Sequence, residues 1–146
     1  MSEINQLEAW LAQEQEVVQR LDAAVGAGVA RPEQVAGLTG LQTMEAMLRG
    51  ELPYAPIAKT LSFQLLEVSH GRALFQGTPL PAHLNPMGTI HGGWYATLLD
   101  SALGCAVHTT MPAGRGYTTA EARLYGPDGT LYAHATTTCL VFELKH

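Results

Sequence analysis

Asp100 is the only charged residue in the run His91-Gly-Gly-Trp-Tyr-Ala-Thr-Leu-Leu-Asp100-Ser-Ala-Leu-Gly-Cys-Ala-Val-His108. The rest of that run is too apolar all round for a protein surface, so the carboxylate is expected in greasy surroundings, where an unpaired charge is costly. Such an acid either finds donors or takes on a perturbed pKa, and that is the condition of many catalytic acids and bases. Gly92 and Gly93 open the same run, and a glycine-rich helix start leaves first-turn N–H groups uncovered and able to polarise an oxygen. The pair therefore offers a site for an electrophile and a base to act on it. Each half also has a plainer reading, Asp100 and Ser101 as a satisfied structural pair and the glycines as an aid to close packing.

The elements that must position these residues are legible in the surrounding text. From His91 to about Thr109 the chain reads as a buried core helix; its longest apolar segment, Trp94 to Val107, is shorter than the roughly 20 residues a membrane span needs and is interrupted by Asp100 and Gly104. Ahead of it, Pro79, Pro81 and Pro86 make Leu80 to Thr89 an irregular loop. Phe63 to Val68 and Arg72 to Thr78 suit strands joined through Ser69-His70-Gly71, and Tyr117 to Tyr125 and Thr130 to Leu144 suit two more, joined through Gly126-Pro-Asp-Gly129. In the N-terminal third, Ile4, Leu7, Leu11, Val18, Leu21 and Val25 mark an amphipathic helix ended by Gly26-Ala-Gly28. Pro32 starts a short helix to about Ala36. Thr39 with Gln42 forms a capping box for a third helix, which Gly50 closes. Strands on both sides of one apolar helix predict a sheet that wraps it, an α+β hot-dog fold. Residues 1–56 form a helical extension packed on a hot-dog domain of residues 57–146, the whole folding as one unit.

A length of 146 residues fits one core. The net charge of −5, with no basic run, argues against nucleic acid as a partner. Acids and amides stand at the N-terminus where a signal peptide would be basic and then apolar, so a cytoplasmic location and no membrane association are expected. Cys105 and Cys139 are too far apart for a redox or zinc motif and read as small buried residues. The six histidines include no metal-spaced pair, so no metal and no cofactor are predicted.

The segment Asn85-Pro-Met-Gly-Thr-Ile-His91-Gly-Gly-Trp-Tyr-Ala-Thr-Leu-Leu-Asp100-Ser-Ala-Leu-Gly104 resembles the PaaI-like (phenylacetate-degradation type) hot-dog acyl-CoA thioesterases. The family spacing is met in full, seven residues from Asn85 to Gly92 and eight from Gly92 to Asp100, and Leu131 to Phe142 looks like the family's last strand. The resemblance implies that the Gly92 N–H polarises a thioester carbonyl and that Asp100 is nucleophile or general base. It further implies that Asn85 orients the thioester or water, that His91 and Gly93 line the substrate site, and that Thr118 positions water. On one helix Gly92 and Asp100 stand about 12 Å apart along the axis, too far to touch one carbonyl. Antiparallel pairing of two copies would set each acid beside the other copy's glycine, so a homodimer, or a tetramer built from such dimers, is expected.

The chain departs from the family after Tyr117-Thr-Thr, where relatives continue through further long strands before the Ala120-Glu-Ala-Arg-Leu124 strand. About 30–40 residues, two central strands, are missing by usual strand and loop lengths. The sheet is accordingly expected to be shortened, or completed by a partner chain. Two functions follow: an acyl-CoA thioesterase acting at a subunit interface, or a non-catalytic hot-dog protein (a pseudoenzyme) that binds acyl-CoA or acyl ligands.

Overall fold

The computed structural model describes residues 3–111 and 116–141. The segment Pro112-Ala-Gly-Arg115 and the end of the last expected strand, 142–144, lie outside the described residues. Five helices and four strands follow in the order α1 (Glu3–Ala23), α2 (Pro32–Val35), α3 (Gly40–Arg49), α4 (Pro56–Leu61), β1 (Phe63–Ser69), β2 (Arg72–Gly77), α5 (Gly92–His108), β3 (Gly116–Tyr125) and β4 (Leu131–Val141). A short 3₁₀ turn, Pro81–His83, interrupts the proline-rich loop.

Local chemistry sets the helix ends. The Thr39 hydroxyl accepts the Gln42 backbone N–H at 3.2 Å, while the Gln42 side-chain Oε1 accepts the Thr39 N–H at 2.8 Å, the reciprocal capping box. Gly50 closes α3 with φ 77°, a left-handed conformation open to glycine at little cost. α4 was not anticipated. It is six residues long, with Pro56 at its first turn, and too short to show a period.

β1 and β2 form an antiparallel hairpin with Ser69 opposite Arg72 and a bulge between Leu65 and Glu67; β3 and β4 form a second hairpin from Gly116–Val141 to Tyr125–Leu131. These are two separate two-stranded sheets. α5 lies between them, with Trp94, Leu98, Leu99, Leu103 and Val107 buried. Near its start Trp94 and Leu98 join Phe63 and Leu66 of the first hairpin and Val17 and Leu21 of α1; further along, Leu99 and Leu103 pack on Ala122 of the second. The hot-dog arrangement is thus present with a shortened, interrupted sheet. Between the facing edges of β2 and β3 a gap of about 190 Å³ is floored by Leu98, Leu99, Ala102 and Ala106 of α5.

α1 reaches the core through Glu14, Val17 and Leu21, whereas Ile4, Leu7, Leu11 and Val18 remain exposed, as does Val25 just beyond the helix end. The sequence stripe is therefore wider than the buried one. Below α1, the Tyr54 hydroxyl donates to Asp22 at 2.6 Å. Burial, and then that bond, push the phenol up to about 12, and the same bond holds the Asp22 carboxyl below its ordinary value. α3 meets the end of α5 so closely that a Cβ on Gly40 would lie 1.7 Å from the His108 carbonyl oxygen. Gly40→Ala is expected to cost about 3 kcal/mol through overpacking, read as a lowered urea midpoint; an unchanged midpoint would show that the two helices do not need this approach.

Candidate active site

The proline-rich loop delivers the chain to α5 through a turn that Asn85 organises. Its side-chain oxygen accepts the N–H groups of Met87 (2.9 Å) and Thr89 (3.2 Å), and its Nδ2 donates to the Thr89 hydroxyl at 2.7 Å. Both oxygen lone pairs are thereby occupied, and one N–H of the amide is left over. An antiparallel bridge between Leu84 and Ile90 pins the base of the turn. The His91 N–H donates to the His83 carbonyl at 2.9 Å. His83 is itself buried, its Nδ1 accepting the Leu80 N–H at 3.0 Å.

His91 is the N-cap of α5. Its Nδ1 accepts the Gly93 N–H at 2.8 Å, which places the proton of the neutral ring on Nε2. Gly93 is needed for this contact, because a Cβ there would sit 2.9 Å from Nδ1. Gly92 differs from its neighbour. Its N–H has no acceptor among the described residues, and a Cβ on it would meet open space. The uncovered first-turn donor expected from the sequence is present at Gly92, while that of Gly93 is taken by the cap.

Asp100 corrects an expectation. It is exposed in the single chain, not sunk among apolar groups. The helix period explains this: α5 buries the side that faces the hairpins, while Gly92, Gly93, Ala96, Asp100 and Gly104 repeat at about four-residue intervals along an uncovered side. Because Gly and Ala are apolar yet small, the sequence looked buried on every side. The carboxylate makes no hydrogen bond or ion pair among the described residues. One turn on, the Cys105 thiol is pushed up to about 11 by burial and then by the charge of Asp100, so at neutral pH it is an inert thiol. Burial lowers the pKa of His108.

The structure brings Asn85, His91, Gly92 and Gly93 together at the start of α5 and leaves Asp100 two turns away. Thr118 stands near the beginning of β3, opposite Cys139. That strand runs antiparallel to α5, with Leu124 and Tyr125 sharing a cavity with Trp94 and Tyr95, and Ala120 packed against the cluster of Leu99 and Leu103. Thr118 therefore belongs to the far end of the helix from Gly92. No group of three or more His, Cys, Asp or Glu among the described residues is placed to hold a metal ion.

Beside the helix start opens an apolar cavity of about 520 Å³. Ile90, Trp94 and Tyr95 form one wall, β2 from Leu74 to Gly77 another, the tip of the second hairpin a third, and Leu7, Trp10 and Leu11 of α1 a fourth. Met87, in the turn ahead of the helix, is 88% exposed and does not line this cavity. The contribution of α1 was missed, since its apolar stripe reads equally well as packing.

Residues 87–125 match the model of the thioesterase superfamily. The fold matches the crystal structure of a phenylacetic acid degradation-related protein of Ralstonia eutropha JMP134, itself only provisionally designated a thioesterase. The TM-score is 0.52 at 26% identity, over 66% of this chain and 98% of that one. No curated protein matches the chain. By its matched segment and matched fold the chain is similar to hot-dog proteins of the thioesterase type. Within that type the likeness is to the PaaI-like group, as the spacing of Asn85, Gly92 and Asp100 indicated, and thioester hydrolysis is the general activity these similarities support.

Proposed function

We propose that the chain hydrolyses an acyl-CoA thioester at a site shared by two copies. One observation carries the reading: an exposed, unpaired Asp100 lies on the same uncovered face of α5 as the free Gly92 N–H, about 12 Å further along the axis. An antiparallel partner helix laid on that face would bring each acid to the other copy's helix start and cover the Ala96 and Gly104 surface. Closure by a two-fold axis then makes two equivalent sites. No helix among the described residues is long and apolar enough to cross a membrane, and a water-borne CoA ester fits that observation.

In this site the thioester oxygen accepts the Gly92 N–H. The partner's Asp100 takes a proton from water, whose oxygen bonds to the carbonyl carbon, and the oxyanion is held by the helix terminus. Collapse breaks the C–S bond, the proton passes to sulfur, and a carboxylic acid and a free thiol leave. Asn85 acts as a positioning residue that holds the turn into His91, with its remaining N–H free for the thioester or water. Thr118 and His91 border the far and near ends of the helix. The chemistry calls for no metal or redox cofactor.

A second reading, an acyl-CoA-binding protein without hydrolysis, is favoured by the occupied Asn85 oxygen and by the interrupted sheet. Thiol release from a series of aliphatic and aromatic acyl-CoAs separates the two. Turnover is expected for at least one ester; binding of acyl-CoA by calorimetry with no thiol released from any would establish the second reading.

A further inference from the structure

The apolar cavity beside the helix start is closed on one side by α1, and that wall is held by a polar latch. Glu14, a buried acid in an otherwise apolar contact, accepts the Thr78 hydroxyl at 2.9 Å and the Gln76 side-chain amide at 3.1 Å. The same Gln76 amide donates to the Trp10 carbonyl at 2.7 Å. These bonds fix one stretch of α1, Trp10 to Glu14, against the end of β2. Leu7 and Leu11 are thereby held over the cavity while still 42% and 41% exposed, apolar surface that a bound apolar group would cover.

The cavity concentrates aromatic surface. Both tryptophans, three of the five tyrosines and one of the three phenylalanines line it. Its volume of about 520 Å³ lies within the roughly 300–1,000 Å³ that enclose drug-sized ligands, far more than an acetyl group fills. It also reaches the reacting end of the molecule. Ile90 precedes Gly92 by two residues, and Tyr95, one turn on, is its neighbour on the helix surface.

We propose that α1 is the distal wall of the acyl pocket and sets its size preference, selecting large apolar acyl groups, with Glu14 as the positioning residue that keeps the wall in place. The inference rests on the acyl-thioester reading of the site. It adds that selectivity is set by an element outside the α5 motif.

The test uses the full chain and two probes. In the first, kcat/KM is measured for acetyl- through dodecanoyl-CoA. Leu11→Trp, a replacement at a half-exposed position that the fold tolerates, is expected to lower the decanoyl-to-acetyl ratio at least tenfold by filling the cavity. Glu14→Ala is expected to raise KM for decanoyl-CoA several-fold with little change in kcat, and Glu14→Gln, which keeps an acceptor for Thr78, to restore it. The second probe is calorimetric titration with decanoate, which needs no catalysis. Saturable binding is expected for the wild-type chain, at least tenfold weaker in Leu11→Trp. Decanoate that fails to bind, or binds Leu11→Trp and Glu14→Ala as tightly as wild type, overturns the proposal. Decanoate binding that follows the pattern, with no thioester cleaved by the wild-type chain, overturns the hydrolase reading and leaves the pocket standing.

Discussion

Asp100→Asn is expected to reduce kcat for thioester hydrolysis by about 10²–10⁴, the span a positioned general base supplies, with KM little altered. Stability should stay within about 0.5 kcal/mol of wild type, because the side chain is exposed and unpaired in the single chain and such surface substitutions are near neutral. Steady-state thiol release and thermal unfolding read the two quantities on the same samples. The combination is informative because a structural acid would give the opposite pattern, a fall in stability with activity lost only as the fold is lost. Full activity in the variant would remove Asp100 from the mechanism.

Subunit mixing gives an equally large effect. Gly92→Pro deletes one N–H and little else: a Cβ at that position meets nothing, and proline is well placed at a first helical position. His91, at φ −64° and ψ 134°, already has the extended conformation that a residue before proline requires. Loss of that donor should cost about 10²–10³ in kcat, as for other oxyanion donors. Mixed with Asp100→Asn at equal amounts and allowed to exchange subunits, two nearly inactive proteins should recover about a quarter of wild-type activity. Half of the dimers are then mixed, and each mixed dimer carries one intact site of its two. A site contained in one chain predicts no recovery at all.

Much of the framework was legible because its signals are local. Thr39, Gln42 and Gly50 announced α3 by side-chain chemistry alone. Gly71 at φ 74° and the Gly126-to-Gly129 turn did the same for the hairpins. The Asn85, Gly92 and Asp100 spacing pointed to the α5 start, where the structure does leave one N–H free. What failed to show were properties of three-dimensional neighbourhood. The exposed side of α5 was hidden because Gly92, Gly93, Ala96 and Gly104 count as apolar while covering almost no area. α4 was too short to carry a period. The separation of the sheet into two hairpins could be foreseen as missing residues after Thr119 but not as a gap over Leu98 and Ala102. The cavity wall was unreadable because Glu14 meets Gln76 and Thr78 across more than sixty residues of chain.

The same wall has a bearing on how a ligand gets in. From Ile4 to Gln13 no residue of α1 is buried; burial begins at Glu14 and continues at Val17 and Leu21. The first turns can therefore fray while the anchoring half stays docked, since local opening is cheapest where little surface is covered. Leu7 rides on the fraying part, while Leu11 stays in the stretch that Gln76 and Thr78 hold. Entry and exit then require only the unwinding of a helix end, a motion on the nanosecond-to-microsecond scale of terminal segments, and neither hairpin has to part from α5.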